Sequence, residues 1–209
     1  MLLRIVKKMV TVTIVAIIVL MAVVKVCFSG EKDPVRTKTE SLDRFLHLVF
    51  PECPGELRHT VLAAATDPEG YFRDHAAELE EKGYDEPYPF FYLSLLLPAM
   101  QEHNKLWTMD WKEPRGEINA IIRDLSEEEF VEILGEDDGD DEHALADELL
   151  PLAAGRMRPA GKSLLCLDTQ SDSYTLLVVP CEKTEAIIAA AAACGITIED
   201  MFQAGAVAH

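Results

Sequence analysis

The stretch Ser163-Leu164-Leu165-Cys166-Leu167-Asp168-Thr169-Gln170-Ser171-Asp172-Ser173-Tyr174-Thr175-Leu176-Leu177-Val178-Val179-Pro180 decides how the chain is read. Two apolar runs, SLLCL and TLLVV, flank six consecutive short polar residues. Asp, Ser and Thr side chains bond nearby backbone amides and so favour chain reversal. The runs have strand length and the polar stretch has turn chemistry, so the segment predicts a β-hairpin. The competing reading is a catalytic loop in which Asp168 and Asp172 hold a metal with hydroxyls beside them. No glycine cradle and no histidine accompanies them, and the turn is the stronger reading.

Working outward, the spacing predicts helices on both sides of this hairpin. Upstream, LWTMDW (106–111) alternates bulky residues and reads as a third strand. Before it, LDRFLHLVF places Leu42, Phe45, Leu46 and Val49 on one helical face, with Thr37 and Glu40 at capping-box spacing. ELRHTVLAAA reads as a second helix. Asp67-Pro68-Glu69 starts a third that should run to Lys82 and stop at Gly83. FFYLSLLLPAM reads as a core helix. Ile118, Ile121, Ile122 and Leu125 mark another, and Ser126 with Glu129 forms a second capping box before FVEIL. Downstream, helices are expected over HALADELLPLAAG and from Glu182 to about Cys194, with ITIEDMF as a short strand or turn. The fold class is therefore α+β: a small, mainly antiparallel sheet of about three strands with helices packed on one face.

The organisation along the chain is read as a signal-anchor or signal segment (1–29), a polar linker (30–38), an acidic α+β domain (39–203) and a loose tail (204–209). Met9 to Val24 carries no charge, and Val26-Cys27-Phe28 extends the apolar run beyond Lys25 to about the 20 residues that span a bilayer. It shows no helical periodicity, which argues against a core helix. Residues 9–28 are therefore expected to insert in a membrane. Arg4, Lys7 and Lys8 stay cytoplasmic by the positive-inside rule, and the domain lies on the far side. Cleavage of the segment, giving a secreted or periplasmic protein, is the alternative, with Cys27-Phe28-Ser29 a poor cleavage site.

Charge narrows the function classes. All 37 acidic residues lie from Glu31 onward, against 15 of the 19 basic ones, so that part carries a net −22. Such a surface repels phosphate backbones, and nucleic-acid binding is excluded on that ground. A basic protein partner suits it.

The candidate interaction residues are Trp107, Asp110, Trp111 and Lys112 in WTMDWKE, with Asp168, Asp172 and Tyr174 at the hairpin. As strand residues, Trp107, Met109 and Trp111 share one face, and core packing is the plainer role for it. An exposed tryptophan would instead act as an anchor at an interface. The acidic run GEDDGDDEH fails the EF-hand pattern, because Leu134 and Leu145 occupy the first and last ligand positions. The six histidines form no HExxH or comparable pair, and no GxSxG, P-loop or dinucleotide motif occurs. No catalytic residue, metal ligand or cofactor is assigned. Cys53, Cys166, Cys181 and Cys194 show no CxxC spacing; free thiols are expected, with one disulfide as the alternative.

MDWKE, then LLCLDTQSDSYTLLVV, then ACGITIEDM together resemble an uncharacterised bacterial family catalogued as a domain of unknown function. The resemblance spans roughly residues 40–203, with DWK and DTQSDSY its most specific stretches. It implies a compact α+β domain and supplies no catalytic residue. The chain is more loosely similar to small acidic α+β immunity proteins, which implies neutralisation of a basic toxin. The leading expectation is a non-enzymatic binding module tethered to a membrane and engaging a basic protein. One alternative is a metal-assisted hydrolase using Asp110, Glu113, Asp168 and Asp172. The other is a structural envelope protein.

Overall fold

The computed structural model describes residues 34–127, 133–135 and 144–207. The expected membrane segment 9–28, the FVEIL helix up to Glu132 and most of the acidic run (136–143) lie outside them. Among the described residues no helix is long and apolar enough to cross a membrane.

The element order is α1 (Pro34–Val49), α2 (Gly55–Thr66), α3 (Pro68–Asp74), α4 (Ala76–Glu81), α5 (Phe91–Glu102), β1 (Trp107–Asp110), α6 (Arg115–Leu125), α7 (Ala146–Met157), β2 (Lys162–Leu167), β3 (Ser173–Pro180), α8 (Thr184–Cys194), β4 (Ile198–Asp200) and α9 (Met201–Val207). The strands form one antiparallel sheet in the order β1-β3-β2-β4. The hairpin is as the sequence predicts: Leu167 pairs with Thr175 and Lys162 with Pro180. ITIEDMF supplies a fourth strand, pairing Cys166 with Glu199, and Asp110 pairs with Ser173 on the other side.

The expectation of helices on one face is corrected. Both faces of the sheet are covered. Leu165, Leu167, Leu177 and Val179 share a core with Phe45 and Leu46 of α1, Val61 of α2, Leu96 of α5 and Ile187 of α8. Leu164, Leu176 and Met109 share a second core with Ile118 and Ile122 of α6, Leu150 of α7 and Met201 of α9. Side chains alternate across a strand, so a strand buried on both faces must be apolar at successive positions. That is why SLLCL and TLLVV are continuous runs rather than alternating ones.

Several boundaries differ from the expectation for local reasons. α1 already includes Pro34–Thr37, inside the expected 30–38 linker, so Thr37 and Glu40 lie within the helix and are not its cap. The Asp67 carboxylate accepts the Gly70 amide at 2.9 Å, the expected cap. The helix it starts breaks at His75 into α3 and α4 before ending at Gly83, φ 83°. Ser126 closes α6, its buried hydroxyl donating to the Ile122 carbonyl at 2.6 Å, while the helix expected after it lies outside the described residues. α9 extends through residues 204–207 of the expected tail. β4 is tied back by Asp200, whose side chain is 2% exposed and accepts Arg158 Nη1 at 2.8 Å.

Candidate functional site

The octet Leu167–Tyr174 reverses the chain by the means its composition implies. The Asp168 carboxylate accepts the Gln170 amide at 2.7 Å. Thr169, Ser171 and Ser173 hydroxyls form a chain with two contacts of 2.7 Å. The Asp168 amide donates to the Thr197 carbonyl at 3.0 Å, fastening the turn to the segment before β4. Gln170 takes a left-handed conformation, φ 58°.

The same turn forms the rim of a cleft of about 700 Å³. Its walls come from four parts of the chain. β1 delivers Trp111, just past its end. The Ala146 amide donates to the Trp111 carbonyl at 3.3 Å, which brings the start of α7, with Leu145 and Asp147, to the same opening. Pro151 has no N–H to offer the Asp147 carbonyl four residues back, so this turn of α7 lacks its helical bond. β2 and β3 supply Cys166 and Tyr174, and β4 supplies Glu199.

The chemistry of the cleft is acidic and aromatic. Asp147, Asp168, Asp172 and Glu199 line it, and no lysine, arginine or histidine does so among the described residues. Trp111 is 41% exposed and Leu145 38%, two of the few large apolar side chains open to solvent among the described residues. Burial pushes the Cys166 thiol up to about 11, and the carboxylates of Glu199 and Asp168 push the same way. Burial likewise raises the Tyr174 phenol, with Asp147 and Glu199 adding to the effect. A negative field disfavours every new negative charge in the cleft and favours a cation there.

Of the residues singled out from the sequence, Trp111, Asp168, Asp172 and Tyr174 meet in the cleft. Trp107 does not: it is half-buried against the second core, opposite Leu176. The two tryptophans thus divide the roles, one packed and one open. Asp110 is exposed and accepts the Lys112 amide at 2.9 Å, outside the cleft lining. The Lys112 ammonium lies 4.6 Å from the Trp111 ring centroid, a cation–π contact. Asp110 and Glu113 do not join Asp168 and Asp172 in the cleft. Among the described residues no group of three His, Cys, Asp or Glu is placed to hold a metal. All four described cysteines are free.

Sequence reasoning missed Asp147 and Glu199. Asp147 reads as an ordinary first-turn acid on its helix, favourable to the dipole. Glu199 carried one usable signal, the alternation of ITIED, which points it away from the buried Ile198 and Asp200.

The architecture and cleft define a small α+β domain with an acidic, aromatic-walled concavity at a hairpin tip. The chain belongs to the family described as Domain of unknown function (DUF6630), whose profile matches residues 41–202. No curated protein and no solved structure matches it.

Proposed function

We propose that this domain is a non-enzymatic binding module whose acidic cleft receives a basic segment of a partner protein. One observation carries the reading: four carboxylates line one cleft with a half-exposed indole, and among the described residues no lysine, arginine or histidine lines it, Lys112 lying against the Trp111 ring outside that lining. A lysine or arginine side chain entering the cleft gains Coulomb attraction from the carboxylates and a cation–π contact with Trp111. The surrounding net charge steers such a partner toward the surface and makes association salt-sensitive. The aromatic wall supplies buried contact area, which charge alone does not give.

In this reading the apolar segment 9–28 anchors the domain and holds the cleft on the non-cytoplasmic side of a membrane. A reporter fused to the C-terminus tests that placement, and a cytoplasmic signal from it would end the proposal of an external domain.

The binding reading is tested by calorimetry with a lysine- and arginine-rich decapeptide and an acidic decapeptide of equal length. The basic peptide is expected to bind, with affinity falling as salt rises. Equal behaviour of the two peptides would remove the reading.

A further inference from the structure

The hairpin tip has a second cavity on its other side. It measures about 460 Å³ and is bounded by Tyr88, Phe90, Leu93 and Leu97 around α5 and by Ile196 before β4. Asp168 and Thr169 belong to the walls of both cavities. The two cavities therefore adjoin at the turn, which walls both of them.

Their chemistries differ. The first is rich in carboxylate. The second carries Asp168 alone among acidic side chains, and is otherwise apolar and neutral-polar. Its shape is fixed by backbone that costs energy to hold. Phe90 sits at φ 63°, in a region bulky residues avoid. Its ring lies against Gly195, itself at φ 86°, where a Cβ would approach to 3.2 Å and make the ring give by a few tenths of an ångström. Tyr88, at the mouth, is 43% exposed. With Trp111 and Leu145, three of the six exposed large apolar side chains among the described residues border these two openings. Large apolar side chains gathered at one place on a surface mark contact sites more often than scattered ones.

We infer that one partner segment straddles the hairpin tip, placing a basic side chain in the acidic cleft and an apolar side chain in the groove of Tyr88, Leu93 and Leu97. This deepens the binding reading above and rests on it: the partner is basic and amphipathic rather than merely basic. Charge fixes which end of the segment goes to which side, because Asp147, Asp172 and Glu199 border only the first opening. The apolar contact supplies selectivity among basic segments, which charge alone discriminates poorly.

The experiment compares peptides on the intact chain, so folding of the protein is not at issue. A basic decapeptide is titrated beside the same peptide carrying one leucine, moved along it position by position. At the register that spans the turn, the leucine is expected to tighten binding about tenfold, the gain from burying one aliphatic side chain at a protein surface. The gain is expected to vanish in Tyr88→Ser and Leu93→Ala, each checked by thermal melting for a retained fold, while the basic peptide binds them as it binds the wild type. If the basic peptide binds and no leucine position helps, the straddling inference fails and the binding reading stands. If the gain survives both substitutions, the groove is not its source and the inference fails. If no peptide binds, both fall. A chain that dimerises without peptide, and loses the dimer in Tyr88→Ser, has a second copy as occupant of the groove, which also overturns the inference.

Discussion

Leu164 and Leu165 are consecutive, both fully buried, and belong to different cores on opposite faces of the sheet. A one-faced sheet would leave one of them in water. Leu164→Ala and Leu165→Ala are each expected to destabilise the domain by roughly 2–5 kcal/mol, the range for emptying a packed leucine site. Urea denaturation monitored by far-UV dichroism measures both. A loss confined to one of the two would contradict helices on both faces.

Cys166 gives the cleft a signature above neutral pH. Burial, assisted by Glu199 and Asp168, raises its folded value to about 11 from an ordinary 9.0. A thiol with a raised folded value keeps its proton longer in the folded state than in the unfolded state. Its contribution is therefore complete below about pH 9 and is lost as pH rises toward 11. Wild-type stability should drop by about 2 kcal/mol over that window through this group alone. Cys166→Ala is expected to flatten that slope, and Cys166 should alkylate far more slowly at pH 8 than the unfolded chain does. A slope unchanged by the substitution would show that the thiol is not held in a negative, water-poor setting.

Gln170 occupies a left-handed position that costs a residue with a side chain about 1–2 kcal/mol. Glycine relieves that cost, though it has more freedom to lose on folding. Its amide still reaches the Asp168 carboxylate. Gln170→Gly is expected to stabilise the domain by up to about 1 kcal/mol, read as a higher denaturation midpoint. A lower midpoint would mean that the side chain itself holds the turn.

Much of the fold was legible because its signals are local. The hairpin follows from polar residues between two apolar runs, and α1 from Leu42, Phe45, Leu46 and Val49 on one face. The second helical layer was not legible, since apolar periodicity shows that a face is buried and not which side of a sheet it meets. β4 was ambiguous because three residues show too little alternation. The cleft was half legible. Trp111, Asp168, Asp172 and Tyr174 lie in the distinctive stretches, whereas Asp147 and Glu199 arrive from α7 and β4 through tertiary packing. The break at His75 and the closing role of Ser126 depend on hydrogen bonds that side-chain type alone does not announce.

The central claim is that the cleft, and not the general acidity of the surface, recognises a basic segment. Two variants with equal net charge separate these. One carries Asp147→Asn, Asp168→Asn, Asp172→Asn and Glu199→Gln; the other carries Gln at Glu80, Glu81, Glu117 and Glu182, all exposed elsewhere. With Trp107→Phe in both, Trp111 is the sole tryptophan and its fluorescence reports the cleft during titration with a basic decapeptide. The account predicts that the first variant loses the saturable signal and the second keeps it with affinity within about threefold of wild type, a difference under 1 kcal/mol. Equal weakening of the two would contradict it.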